Sequence, residues 1–487
     1  ALHLLDNSSK KTGWYYMNFP WNMFLDLGVI SMALLMATFL RARINFFQKY
    51  LIPNALTAGF ILLPFYNFLA PVVGMSEIGL GAIVYHLLSI SFISMSLRKP
   101  AYTKRKGDKS VFGTSVSIIS QYSLQSLVGL LLTFFFMSTV MKELYPAFGF
   151  FMPLGFALGP GQAYAIGEGW QAMGFEGAPD VGLTFAAVGY MWACFGGVIL
   201  INMGIKRGWL GKAQVEKIKE KRFRSGVIGR DEKLQVGSRL TTESEAIDSA
   251  SYNMAVVLMV YLFSFLMLKG MGGLLSFAGN LGNDLAVNLW GISFVFAAMV
   301  ALIVKTIMIK LKLEHTLDNG ALTRIAGNSV DIMVAAAVGA ISLTVVVQYW
   351  LPILVISVTG GFITFITVIW ISSRIFEDYQ FHRALIIYGA CTGTMPTGLA
   401  LLRVVDPDFE TPVATDYMYS AAFTFFLVIP FILSINLPAY SVTKANPMYF
   451  WAAIGVALAY GLFSLISQRA LGGKRAFAKL TTLWYEK

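Results

Sequence analysis

The sequence predicts an all-α polytopic membrane protein, on three observations: an apolar composition, recurring windows long enough to span a bilayer, and an uneven spread of basic residues. Of 487 residues, 56% are apolar, 14% aromatic and only 13% charged, and the mean hydropathy is +0.66. That balance excludes a soluble domain of this length. A hydrocarbon core of about 30 Å takes roughly 20 apolar helical residues. Such windows lie near 21–40, 52–71, 78–97, 111–141, 180–204, 251–270, 286–304, 325–346, 352–372, 417–436 and 447–467. Backbone groups in lipid must be satisfied within their own segment, and the alternation of a membrane barrel is missing, so about eleven transmembrane helices are expected.

Residues 1–20 are expected to lie outside the cytoplasm. The first window is too long for the apolar part of a cleaved signal, and Trp14, Tyr15, Tyr16 and Trp21 before it suit a membrane surface. With the N-terminus outside, the segments predicted to face inward hold 32 of the 37 Lys and Arg; Lys10, Lys11, Lys142, Lys269 and Lys444 alone fall outside. The formal net charge of +11 is therefore topogenic, and no accompanying motif points to nucleic acid. Cys194 and Cys391, both in apolar context, give neither a disulfide framework nor metal spacing.

Between the fourth and fifth windows, residues 155–170 read GFALGPGQAYAIGEGW, with five glycines, a proline and two polar side chains. The windows on either side require this segment to enter and leave on one face, so 147–175 is expected to be a re-entrant hairpin. Late in the chain 384–404 reads ALIIYGACTGTMPTGLALLRV, a second hairpin entering from the opposite face. Residues 21–204 and 251–437 thus each read as four spans, a hairpin and a fifth span, the second set inverted. The charged linker 205–250 joins them inside, and 438–487 adds one more span and an inner tail. Inverted repeats with interrupted segments at matching positions are the pattern of a secondary transporter. Gly and Pro free backbone groups that membrane depth tolerates only around a cavity. Freed carbonyls with Thr hydroxyls suit Na⁺, and half-helix N-termini suit a carboxylate.

The segments KYLIPNALTAGFILL, LSISFISMSLR, QYSLQSLVG, GPGQAYAIG, GFEGAPDVGLTFA and GACTGTMPTGLA, in that order over roughly 20–437, resemble the bacterial sodium/glutamate symporters. The resemblance implies a Na⁺-driven importer of dicarboxylic amino acids in the bacterial inner membrane. It also implies a homodimer, two five-helix inverted repeats and an elevator motion. Gln162 stands where that family carries a histidine in its first motif, and Tyr164 where a small residue or Thr is usual. The second motif lacks a further histidine, while Pro396 and Thr397 match its Pro-Thr pair.

Intramembrane polar groups are costly and therefore candidates for the site. In the first break these are Gly159, Gly161, Gln162, Tyr164 and Glu168; in the second, Thr392, Gly393, Thr394, Pro396 and Thr397, with Arg403 beyond it as a possible carboxylate clamp. Thr392, Thr394 and Thr397 with the freed carbonyls form the expected Na⁺ set. Asn328 and Asp331 share one face of the eighth span, Asp331 being either an ion-coupling acid or the partner of Arg324. Gln121 and Gln125 read as interhelical hydrogen-bonding groups. No cofactor is expected apart from the coupling ion. A Na⁺/H⁺-type antiporter with Asp331 or Glu168 as proton carrier is the nearest alternative. No catalytic set at membrane depth points to an integral-membrane enzyme, and a channel would need fewer spans.

Overall fold

The computed structural model describes residues 21–50, 52–76, 78–99, 109–210, 225–228, 230, 236–277, 289–290, 293–406 and 411–485. The expected N-terminal segment and much of the linker lie outside the described residues. Among the described residues there is no strand, and ten helices are long and apolar enough to cross a membrane.

In chain order these and their companions are α1 (Asn22–Arg43), α2 (Asn54–Pro64, prolonged by wider and tighter turns to Val73), α3 (Ile78–Leu97) and α4 (Ser110–Ser138). The first broken pair follows, α5 (Phe148–Leu158) and α6 (Pro160–Gln171), then α7 (Ala178–Lys206). Beyond the linker come α8 (Ser249–Ser276), α9 (Ser293–Lys310), α10 (Asn319–Gly339) and α11 (Trp350–Ile375). The second broken pair is α12 (Gln380–Thr392) and α13 (Met395–Val405), followed by α14 (Val413–Ser434), α15 (Leu437–Thr443) and α16 (Met448–Gly472).

One boundary differs from expectation for an identifiable reason. The eighth window, expected at 325–346, is a helix that starts six residues earlier, because the Asp318 carboxylate accepts the Ala321 N–H at 2.7 Å and caps a polar first turn. The tenth window, expected at 417–436, falls on α14, a continuous 22-residue helix that carries Pro430 within it.

Packing follows a pattern across the two parts of the chain. Helices α3 and α10 lie against each other, α10 also packs on α2, and α3 on α9. The helix ends are tied in the same way. From α2, the Asn67 amide donates to the Ile341 carbonyl at 2.9 Å and accepts the Leu343 N–H at 3.0 Å, just past α10. From α9, the Lys305 ammonium donates to the Ser96 carbonyl at 3.3 Å and to the Arg98 carbonyl, at the end of α3. Each contact satisfies carbonyls that a helix C-terminus leaves without partners.

Helix α4 packs on α11, and α16 covers α4 with smaller contacts to α11 and α14. Gln121 and Gln125 tie α4 to α11 as expected: Thr367 donates to Gln121 Oε1 at 3.0 Å, and Gln125 donates to Thr364 Oγ1 at 2.9 Å. The base of the first broken pair is fixed by buried aromatics. Phe151 meets Trp170 edge-on at 4.8 Å, Tyr145 stacks on Phe175 at 4.7 Å, and Trp170 Nε1 donates to Asn436 at 2.9 Å. Such pairs contribute about 0.5–1.5 kcal/mol each beyond their area.

Candidate binding site at the meeting of two broken helices

With only 12 residues in α6 and 11 in α13, neither arm reaches across a core of about 30 Å at about 1.5 Å per residue. Each arm folds back on its partner, α6 on α5 and α13 on α12. The first break is made by Gly159, at φ 96° and ψ 177°, a conformation strained for any residue with a Cβ. Pro160 then opens α6, where its missing N–H costs nothing. In the second break Gly393 and Thr394 leave the helical region (φ −142°, ψ −105° and φ −146°, ψ 173°), and Pro396 lies in the first turn of α13. Both second arms therefore aim the free N–H groups of a helix N-terminus at their break.

The two breaks, more than 230 residues apart in sequence, touch. A methyl group on Gly159 would stand 2.8 Å from Thr394 Cγ2 and 3.8 Å from the carbonyl oxygen of Gly393. Around this point Thr394 Oγ1 lies 3.2 Å from Thr397 Oγ1 and receives the Tyr190 hydroxyl at 3.4 Å. Gln162 is 3% exposed, and its Oε1 lies on the Gly159 side.

The second break is held from two more sides. Gln125 on α4 donates to the Cys391 carbonyl at 2.9 Å, occupying one of the acceptors that the end of α12 leaves open. Gly189 on α7 lets the Thr392 carbonyl come so close that a methyl there would stand 2.6 Å from it. Replacing Gln125 by Leu is expected to lower stability by about 1–3 kcal/mol through the orphaned carbonyl, measured as a fall in Tm of the purified protein.

The other sequence candidates are distributed around this point. Gly161 faces Leu88, and Tyr164 lies over Gly81, both on α3. Glu168 is exposed, two turns beyond the break. Thr392 is fully buried and donates to the Tyr388 carbonyl at 2.8 Å, within its own helix. Pro396 and Arg403 belong to α13 by backbone, but their side chains lie outside the described residues, and with them the expected clamp. Asn328 and Asp331 are exposed on α10. Arg324 lies against Gly237 of the linker, and among the described residues it makes no ion pair with Asp331.

Sequence reasoning missed Tyr190, whose one visible sign was a tyrosine beside a mid-span glycine in AAVGYMW. No protein-family model, curated protein or solved structure matches the chain.

Proposed function

We propose that the chain is a secondary active transporter, a Na⁺-coupled symporter of a small organic anion, with glutamate or a related dicarboxylate as the solute the resemblance implies. The observation that carries this reading is the meeting of two broken helices at one point beside the buried Gln162. Two helix N-termini facing that point favour a carboxylate. The hydroxyls of Thr394 and Thr397 and the carbonyl of Gly393 are hard oxygens of the kind that hold Na⁺ at unwound segments. Held together, cation and anion offset each other's charge, so the loaded site crosses the low-dielectric region at lower cost than either ion alone.

The reciprocal packing of α2 with α10 and of α9 with α3, with Asn67 and Lys305 at corresponding helix ends, supports two inverted repeats. In that arrangement α5–α6 and α12–α13 are the re-entrant hairpins, and α14 with α16 completes eleven spans. The basic-residue bias supports an outside N-terminus and an inside linker and tail. The homodimer, the elevator motion and the bacterial inner membrane rest on the resemblance.

Asp331 favours a second reading. A carboxylate within the membrane-spanning helix α10, without an ion-pair partner among the described residues, is what a proton-coupled exchanger needs. The experiment is uptake of labelled L-glutamate into proteoliposomes under a Na⁺ gradient or a pH gradient, with the unaltered chain and with Asp331→Asn. The symport reading expects uptake about tenfold or more above background with inward Na⁺ alone, a coupling of at least about 1.4 kcal/mol. Glutamate uptake that ignores Na⁺, together with Na⁺-driven proton flux that Asp331→Asn abolishes, establishes the exchanger instead.

A further inference from the structure

Beyond α16 the chain turns back over the end of the bundle that carries the linker, and the contacts it makes there are specific. Arg374, in the last turn of α11, is fully buried. Its guanidinium donates from Nε to the Ala478 carbonyl at 3.1 Å and from Nη2 to the carbonyls of Lys479 at 2.8 Å and Thr482 at 2.7 Å. A buried guanidinium needs such acceptors, and the tail supplies three of them. The Tyr485 N–H closes the turn by donating to Ser373 Oγ at 3.2 Å. Beside it Trp484 stacks on Trp209, just past α7, with ring centroids 4.1 Å apart and planes at 19°, and meets Phe381 edge-on at 6.3 Å.

Phe381 belongs to the first turn of α12 and is pressed against Gly204 of α7. The tail therefore bears on the base of the second broken pair, about three turns below its break. Ala476 is buried and Phe477 lies beside the Trp370 ring at 6.3 Å, but the rest of the tail is more open. Arg475 pairs with Glu377 at 3.1 Å, but the Glu377 side chain is 82% exposed, and such surface pairs add little. Leu480 stands 66% exposed. Past the short turn at Gly473–Arg475 the described tail has no helix of its own. It is a segment without regular structure of its own, seated mainly by the buried Arg374 and the stacked Trp484, the kind of element that opens locally.

We propose that residues 473–485 are a releasable strap: seated, they hold the base of the α12–α13 hairpin against α7, and released, they let that hairpin open. This concerns hairpin opening alone and does not depend on which solute, if any, is carried.

The native thiols provide the test. Cys391 lies at the tip end of α12 and Cys194 in α7, both buried. The intact protein in nanodiscs is exposed to N-ethylmaleimide, and modification at each cysteine is followed by mass spectrometry. Trp484→Ala is expected to speed modification of Cys391 about tenfold while leaving Cys194 near its original rate, as selective local opening requires. Arg475→Ala, which alters only a rim contact, is expected to speed Cys391 by about two- to threefold, in keeping with the small worth of an exposed pair. Equal rises at both cysteines mean general loosening and overturn the proposal, as does an unchanged rate at Cys391. If Trp484→Ala does not fold, Arg475→Ala decides by the same two readouts.

Discussion

Gly159→Ala is expected to cut solute uptake in proteoliposomes by about 10- to 100-fold. Two costs add. At φ 96° and ψ 177° a residue with a Cβ carries about 1–3 kcal/mol of strain, so the broken conformation gives way to one that moves the α6 N-terminus. The methyl would also stand 2.8 Å from Thr394 Cγ2, and Thr394 cannot simply yield, since Tyr190 and Thr397 hold its hydroxyl. The two breaks would separate and the point between them would widen. Gly169→Ala is the control: it lies in the same helix, with nothing within 4 Å of an added methyl and no positive φ. It should leave uptake unchanged and, as a Gly-to-Ala change inside a helix, stabilise by about 0.5–1 kcal/mol. Uptake by Gly159→Ala above half that of the unaltered chain, with Gly169→Ala also active, would show that the breaks do not form one site.

What could be read in the sequence was whatever leaves a local mark. Long apolar windows are local, and the helices appear where they were expected. Glycine and proline clusters at membrane depth are local too, so both breaks could be placed. The contact between Gly159 and Thr394 was not readable, because it joins segments more than 230 residues apart and only the repeat argument suggested it. Tyr190 was missed for the same reason: its role comes from the neighbour it meets across α7, while its own surroundings look like packing. The start of α10 was misplaced because hydropathy marks where a helix is greasy and not where it begins; Asp318 begins it six residues earlier. The tail was read only as an inner extension. Nothing in GGKRAFAKLTTLWYEK announces that three of its carbonyls complete the surroundings of Arg374. Composition said that this arginine was one of the inside charges, and only the fold says that it is buried.

A second arginine leads to the last expected result. Arg383→Leu should destabilise the protein by about 3–5 kcal/mol, the cost of removing one partner from a buried ion pair. Arg383 is 1% exposed and bonds Asp416 Oδ2 at 2.8 Å, with the Asp416 side chain only 8% exposed. The link joins the first turn of α12 to the first turn of α14, and the guanidinium also lies over the Phe376 ring at 5.0 Å. Leu fills the volume but leaves a carboxylate in a poorly solvated place without that counter-charge. The contact to Asp378 at 3.1 Å is of a different kind, since that side chain is 50% exposed; Asp378→Asn should cost less than about 1 kcal/mol. Melting temperatures of Arg383→Leu, Asp416→Leu and the double variant separate the pair from its surroundings. If the charges matter to each other, the double variant recovers much of the loss, because two apolar groups of similar size often replace a buried pair at little cost. Strict additivity of the two single losses would mean that each side chain is held by other neighbours and that the pair does not fix the base of the hairpin. The outcome bears on transport as well as stability: a hairpin whose base is tied to α14 through Arg383 moves with α14, and a recovered but untied double variant should keep its Tm while losing uptake.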